Sequence, residues 1–154
     1  MKCRVLFVCA TNGLHSPMAE AMLKWLDSEH FEATSAGTIC GQLHPLTVEV
    51  LKEIGIDLGR KTPKSVQQLP DEKFDYVITL GSRAPSCGRT FPQGEIVHWK
   101  IDDAGIPDDP EKQLRQFRMV RDQILQRLRL FVLVHVRPQI RSRPAVLSIA
   151  ASSR

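Results

Sequence analysis

VLFVCATNGLHSPMAEAML, residues 5–23, joins an unbroken apolar run to a short polar loop and then to a helical pattern. A run whose successive side chains are all apolar predicts a strand, at 4–9, that is covered on both faces. Ser16 followed by Pro17 predicts the start of a helix, because proline suits the first helical position. This stretch therefore predicts a strand, a loop and a helix in that order.

Further along the chain the same two patterns alternate. Apolar runs predict three more strands, at 31–36, 74–80 and 95–99, and proline-led amphipathic runs predict helices from Pro45 and from Pro110. The predicted buried faces are Met18, Ala21, Met22, Trp25 and Leu26 on the first helix, Val48, Leu51 and Ile54 on the second, and Leu114, Phe117, Val120, Ile124, Leu125 and Leu128 on the third. The alternation predicts an α/β fold, a three-layer sandwich with a four-stranded parallel sheet and helices on both faces.

Length and charge favour one domain followed by a basic end. The chain has 154 residues, 42% of them hydrophobic, and a net charge of +4. Residues 127–154 hold six arginines and no acidic residue, which leaves 15 basic and 17 acidic residues in 1–126. We therefore predict a catalytic domain at 1–132 and a basic C-terminal tail at 133–154, of the kind that is often disordered.

These properties also exclude several classes of function. Because the excess positive charge is confined to the tail, we expect no nucleic-acid partner. The apolar runs are too short to cross a bilayer and form no export signal, so we expect a cytoplasmic protein with no membrane partner. We also expect a monomer. The cysteines (Cys3, Cys9, Cys40 and Cys87) lack zinc-ligand spacing, and in a reducing compartment such cysteines are buried, catalytic or redox-active.

Three polar loops follow predicted strands. In a parallel sheet the functional site lies at the carboxyl ends of the strands, where we expect the loops 10–16, 81–87 and 100–105 to meet. Cys9 opens the first loop, Cys87 closes the second, and the third contains two adjacent aspartates. The sequence therefore predicts a site that combines thiol chemistry with carboxylates.

The first loop suits a bound oxyanion. Successive backbone N–H groups followed by a helix N-terminus form a concave donor site for a tetrahedral anion, and the same field stabilises a thiolate at Cys9. Asn12 and Gly13 suit the left-handed turns that such a loop needs. Taken alone, the loop leaves open the alternative that Cys9 is a buried cysteine that merely ends a strand.

Several separate motifs in the right order resemble one family. The stretch 5–23 resembles the signature loop of the low-molecular-weight tyrosine phosphatase superfamily, which reads Cys, five residues, Arg, Ser. SAGT (35–38) and VLKEIGIDL (50–58) also resemble segments of that superfamily. VHWKIDD (97–103) and FRMVRDQI (117–124) are most similar to its arsenate reductase branch. The resemblance spans 3–131 and implies thiolate chemistry on phosphate or arsenate.

The resemblance also implies roles for single residues. Cys9 would be the nucleophile, Ser16 would hydrogen-bond to its thiolate, and Asp103 would be the general acid, with Asp102 as the adjacent candidate. For both aspartates a turn or helix-capping role is the alternative. The implied oxyanion-binding residues are Asn12, Gly13, Leu14, His15 and Ser16. We expect no tightly bound cofactor and no metal, although the family's monovalent-cation site points weakly to Glu20 and Ser35.

Two departures from the family pattern bear on activity. His15 stands where the family has arginine, and an imidazole has two donors and a pKa near neutrality, where a guanidinium has five donors and a permanent charge. Gly81 stands where thioredoxin-coupled arsenate reductases have the first relay cysteine, while Cys87 remains near the second position. Cys87 or an external thiol would then resolve a Cys9 adduct, and Cys3 and Cys40 are buried or incidental.

Three hypotheses for function follow. The preferred one is an arsenate reductase-like enzyme, slow because of His15, that uses an external thiol reductant: thioredoxin, glutaredoxin–glutathione or mycothiol. The second is a low-molecular-weight phosphatase acting on phosphomonoesters. Against it, aromatic residues that would grip a phosphotyrosine ring are not evident, and the one tyrosine, Tyr76, lies in a predicted buried strand. The third is a non-catalytic binder of oxyanions or phosphorylated ligands.

Overall fold

A parallel sheet flanked by helices forms the protein. The computed structural model describes residues 1–86, 88–105 and 108–141. The elements, in chain order, are β1 (Cys3–Cys9), α1 (His15–Asp27), β2 (Phe31–Gly37), α2 (Pro45–Lys52), a short 3-10 helix (Val66–Gln68), β3 (Tyr76–Gly81), β4 (Glu95–Lys100) and α3 (Pro110–Arg141). The predicted strands and helices are all present. Apart from the end of α3, their bounds differ from the prediction by no more than two residues, as helix and strand boundaries commonly do.

The sheet has four parallel strands in the order β2-β1-β3-β4. Its register aligns the carboxyl ends, because Cys9 lies opposite Gly37 on β2 and Gly81 lies opposite Lys100 on β4. The predicted α/β fold with a four-stranded parallel sheet is thereby confirmed. The alignment also brings the loops after β1, β3 and β4 to one edge of the sheet.

Each face of the sheet carries its own apolar core. Val5 and Phe7 of β1 pack with the three α-helices, and the side chains of Met18, Leu23, Leu51 and Ile124 are fully buried there. Leu6 and Val8 point to the other face, which is covered by Val66 of the 3-10 helix and by Leu69, Phe74 and Phe91. Burial on both faces explains why β1 reads as an unbroken apolar run.

The helix α3 continues past the predicted domain boundary at 132. Residues 133–141 prolong it, and residues 142–154 lie outside the described part of the chain. Phe131 packs against Phe31 and Tyr76 with ring centroids 5.5 and 5.4 Å apart, and the His135 ring nitrogen Nε2 lies 2.9 Å from the Tyr76 hydroxyl. The arginine count suggested a tail here, but these aromatic contacts hold the helix to the sheet. None of the described helices combines the length and hydropathy needed to cross a membrane.

Trp25 was wrongly placed on the buried face of α1, since 51% of it is exposed. The predicted Met18, Ala21 and Met22 are buried, and Ala19 and Leu23 complete the face. The first half of α1 packs against both the sheet and α3, so it is buried nearly all round. A prediction that assumes one buried stripe along the helix therefore describes the burial of α1 poorly.

The buried face of α3 can be tested with two leucines on the same helix. Leu128 is fully buried, whereas 57% of Leu130 is exposed. We expect Leu128→Ala to lower the free energy of unfolding by about 2–5 kcal/mol, because it removes apolar contacts and leaves a cavity. Leu130→Ala should change it by about 0.5 kcal/mol or less. Urea denaturation measures both, and equal effects would contradict this orientation of α3.

Candidate active site

Cys9 is the last residue of β1 and is 97% buried. Its Sγ lies 2.9 Å from the Ser16 hydroxyl oxygen and accepts a hydrogen bond from the Ser16 backbone N–H at 3.4 Å. The Asn12 amide donates to that hydroxyl oxygen at 2.8 Å, which leaves the hydroxyl proton for Sγ or for the Ala36 carbonyl at 3.3 Å. When Cys9 ionises, the shorter contact becomes a charge-assisted hydrogen bond from Ser16 to the thiolate.

Asn12 connects four segments of the chain. It is fully buried and has a φ of 58°, a left-handed conformation that asparagine tolerates better than most residues. Besides Ser16, its amide group donates to the Ser35 hydroxyl at 3.0 Å, and its Oδ1 accepts from the Lys64 backbone N–H at 3.1 Å. The loop is thus tied to α1, to β2 and to the segment around Lys64.

The loop after β1 directs its carbonyl groups outward. The carbonyls of Cys9, Ala10, Thr11 and Gly13 accept backbone hydrogen bonds from residues 38–44. Within the described residues, the backbone N–H groups of 10–14 donate to no protein group. Gly13 is required by close packing, because a Cβ there would lie 2.3 Å from the Gln42 carbonyl oxygen. The loop therefore holds free donors beside the Cys9 sulfur and the start of α1, as an oxyanion site requires.

His15 joins this loop to the loop after β4. It is buried, and its Nε2 lies 3.0 Å from the Asp102 carbonyl oxygen and 4.0 Å from the Asp103 carboxylate. A carbonyl oxygen only accepts, so Nε2 carries the proton. Burial lowers the pKa of His15 below its ordinary value, and the contacts with Asp102 and Asp103 oppose this less strongly. The neutral form therefore stabilises the fold above about pH 6.5, and that contribution is lost as pH falls through the lower folded-state pKa.

Asp103 connects the loops after β3 and β4. Its carboxylate accepts a hydrogen bond from the Ser82 hydroxyl at 2.7 Å and is largely exposed. The Asp102 backbone N–H donates to the Gln123 side-chain oxygen at 3.2 Å. The predicted convergence of three loops is thus observed. Ser82 and Gln123 were not assigned to the site from the sequence, although they lie within the segments 81–87 and 117–124 that it singled out.

The structure describes three of the four cysteines. Burial and the nearby Asp75 raise the pKa of the Cys3 thiol to about 11, so Cys3 is a poor nucleophile at neutral pH. Cys40 is exposed on the segment that supports the Cys9 loop, and its thiol lies 3.4 Å from the Pro63 carbonyl oxygen. Cys87 lies outside the described residues. Gly81 has a φ of 141°, which side-chain-bearing residues rarely adopt, so a cysteine would be strained there.

Glu20 and Ser35 do not fit a free monovalent cation in this chain. Glu20 is buried, and the Lys61 ammonium donates directly to its carboxylate, with the Lys24 ammonium 3.9 Å away. Burial lowers the pKa of Lys61, and contact with the carboxylate opposes this. Two like unit charges about 4 Å apart repel by roughly 4 kcal/mol at an effective dielectric constant of about 20, which disfavours a second cation. Ser35 is fully buried and bonded to Asn12.

Comparison with known proteins agrees with this geometry. Residues 4–141 match the family described as low molecular weight phosphotyrosine protein phosphatase. The chain belongs to this family. An arsenate reductase from Halalkalibacterium halodurans is 36% identical over 129 residues, which is 82% of this chain and 93% of that protein. A glutaredoxin arsenate reductase from Synechocystis sp. is 30% identical over 125 residues, which is 81% of this chain and 92% of that protein.

A solved structure gives the same result. An arsenate reductase in the phosphate binding state has a TM-score of 0.72 and 28% identity, and the match covers 86% of this chain and 98% of that chain. The predicted resemblance to the phosphatase superfamily and its arsenate reductase branch is confirmed. The signature loop that this chain resembles has arginine where His15 stands, and a histidine lacks the permanent positive charge of arginine.

The Ser16 hydroxyl can be tested through the reactivity of Cys9. We expect Ser16→Ala to slow alkylation of Cys9 by iodoacetamide roughly 10–100-fold at neutral pH, since a hydrogen bond to a charged group contributes about 1.5–3 kcal/mol. Mass mapping of the Cys9 peptide separates this thiol from the others. Ser35→Ala is the matched control, because Ser35 also bonds Asn12 but makes no contact with the sulfur. Equal rates in both variants would mean that Ser16 does not stabilise the thiolate.

His15 can be tested through the pH dependence of phosphate binding. Because burial lowers its pKa, His15 should be charged only on the acid side of neutrality, so phosphate affinity relative to His15→Asn should rise as pH falls below about 6.5. Dividing the phosphate affinity of the unmodified protein by that of His15→Asn at each pH removes the effect of the protonation of phosphate itself. His15→Arg should bind more tightly by about 1–3 kcal/mol, because it restores a permanent charge and a two-pronged donor.

Isothermal titration calorimetry from about pH 5.5 to 8.5 covers the range in which a histidine titrates. A ratio to His15→Asn that does not change with pH, together with no gain in His15→Arg, would exclude His15 as the substitute for the family arginine.

Proposed function

We propose that the protein is an arsenate reductase that uses Cys9 as its nucleophile and an external thiol as its reductant. One observation carries the proposal most directly: the Cys9 sulfur contacts Ser16 at the base of a loop whose backbone N–H groups donate to no other described group. The proposal is supported by relatives named arsenate reductases that match over most of both chains.

In the first step the Cys9 thiolate attacks the arsenic of arsenate held by the loop N–H groups and the N-terminus of α1. A sulfur–arsenic bond forms, and one arsenate oxygen leaves as water after it is protonated. The free donors near Cys9 balance the negative charge of the oxyanion, and Ser16 stabilises the thiolate until it attacks. His15, which is neutral in the free protein near pH 7, adds little charge unless the negative charge of the bound anion makes its ring take up a proton.

Asp103 is the proposed donor of the proton with which an arsenate oxygen leaves as water. Its carboxyl lies 4.0 Å from the His15 ring and accepts from the Ser82 hydroxyl, so it belongs to the same cluster as the Cys9 loop. Asp102 makes its contacts to His15 and Gln123 through its backbone, which favours Asp103 as the acid. A positioned general acid typically contributes roughly 10²–10⁴-fold to a rate.

In the second step another thiolate attacks the Cys9 sulfur. The electron pair of the sulfur–arsenic bond passes to arsenic, which leaves as arsenite, while the two sulfurs form a disulfide. Arsenic gains two electrons and two thiols lose them. Cys87 or a small thiol supplies the second sulfur, and thioredoxin, glutaredoxin–glutathione or mycothiol restores the thiols. A reducing cytosol would maintain this cycle.

Hydrolysis of phosphomonoesters is the alternative outcome for the same site. Tyr76 lies at the amino end of β3, whereas Cys9 ends β1 at the opposite edge of the sheet. Trp99, close before the loop of Asp103, is buried against Phe7 and Phe131. Neither ring is free to hold a phosphotyrosine beside Cys9, which favours arsenate as the substrate.

The proposal is tested by assaying arsenate reduction with the thioredoxin, glutaredoxin–glutathione and mycothiol systems side by side. We expect turnover with at least one of them. Cys9→Ser should reduce it roughly 100-fold or more, since a serine hydroxyl does not ionise usefully at this pH. Cys40→Ser, which removes an exposed thiol, is the matched control and should retain turnover.

Mass mapping after oxidation by arsenate then identifies the second thiol. A Cys9–Cys87 disulfide assigns the second step to Cys87, and a mixed disulfide with the small thiol assigns it to the reductant. Turnover of para-nitrophenyl phosphate without arsenate reduction would identify a phosphatase. Phosphate binding without either turnover would identify a non-catalytic binder.

A further inference from the structure

The carboxylate of Glu20 needs a positive partner, because it is buried at the side of α1 one turn after Ser16. A buried carboxylate without a partner is strongly destabilising. The Lys61 ammonium supplies that partner through a direct hydrogen bond, and 84% of the Lys61 side chain is itself buried. The more distant Lys24 is 55% exposed.

We propose that the Lys61 ammonium is a built-in cation that takes the place of a free monovalent ion at Glu20 and supports the oxyanion-binding loop through Asn12. Unlike a free ion, this cation belongs to the chain, so its presence does not depend on salt composition. Lys61 is therefore a positioning residue for the loop, not a catalytic residue.

The link from Lys61 to the loop runs through the short segment 61–64 of the chain. Lys64, which follows Lys61 closely, donates its backbone N–H to Asn12 Oδ1 at 3.1 Å and accepts from the Gly37 N–H at 2.8 Å. The ion pair with Glu20 thus fixes one end of the segment 61–64, and the bond to Asn12 fixes the other. Asn12 in turn orients Ser16 toward the Cys9 sulfur.

The surroundings of the ion pair allow a small ion to replace Lys61. A cavity of about 500 Å³ borders both Glu20 and Lys61, and Lys24, Trp25 and residues 55–58 also line it. Removing the lysine side chain would expose the Glu20 carboxylate to this cavity. A potassium or ammonium ion could then contact the carboxylate directly, whereas the methyl groups of choline would keep its charge farther away and leave it no N–H to donate.

The test measures phosphate binding by calorimetry in potassium, ammonium or choline chloride at matched ionic strength. The unmodified protein should bind equally in all three. Lys61→Ala should bind roughly 5–150-fold more weakly in choline, the usual range for coupling between two sites, and should recover in potassium or ammonium. Because such coupling is reciprocal, phosphate and potassium together should raise the melting temperature of Lys61→Ala by more than the sum of their separate effects.

Three further variants make the test specific. Lys61→Arg keeps a positive charge and should behave like the unmodified protein. Lys24→Ala removes the exposed neighbour of Glu20 and should gain no response to potassium. The double variant Glu20→Gln with Lys61→Met removes both charges and should also show no response. Lys61→Gln retains a hydrogen-bonding group, so it replaces Lys61→Ala in the same measurement if the alanine variant does not fold.

Phosphate binding is measured without turnover, so the absence of arsenate reduction would not affect this test. The proposal would be overturned by a folded Lys61→Ala that binds phosphate normally in choline. It would also be overturned by a loss that neither potassium nor ammonium restores, or by a potassium requirement in the unmodified protein.

Discussion

The buried amide of Asn12 is the interaction on which the site depends. One side chain bonds the hydroxyls of Ser16 and Ser35 and the backbone of Lys64, so the Cys9 loop, α1, β2 and the segment 61–64 share a single point of attachment. The left-handed backbone at Asn12 turns the loop so that its carbonyls face residues 38–44. Its N–H groups are thereby left for an anion. An amide can serve here because it makes two donor contacts and one acceptor contact, whereas a hydroxyl has only one proton to donate and an ionised carboxylate has none.

The sequence predicted the parts of this arrangement that are local. The unbroken apolar run of β1 and the Ser-Pro start of α1 reflect burial and backbone geometry that neighbouring residues determine. The convergence of three loops followed from the parallel sheet alone. Contacts between distant segments were not predictable, because no local pattern encodes them: His15 to the Asp102 carbonyl, Ser82 to Asp103, and Lys61 to Glu20. Trp25 was misplaced for a related reason, since packing of α1 against α3 depends on the tertiary arrangement.

The positive charge near the site is distributed differently from what the signature motif would suggest. The motif usually concentrates it in one arginine on the loop, whereas here the loop contributes N–H dipoles and a neutral imidazole. The Lys61 ammonium lies outside the loop and is bound to the Glu20 carboxylate. Charge that is held by a paired, partly buried group contributes little long-range attraction, so preorganised backbone donors must supply most of the anion binding.

His15 consequently links anion binding to proton uptake. Burial favours the neutral ring, with its proton directed to Asp102, so the second nitrogen can donate to a bound oxyanion only after it gains a proton. A bound oxyanion favours that proton, but the free energy needed to add it is taken from the free energy of binding. Each pKa unit between the solution pH and a lower pKa of His15 costs about 1.4 kcal/mol. An arginine pays no such cost, because it is charged before the anion arrives. A buried histidine in place of an arginine therefore makes oxyanion binding through this residue depend on pH.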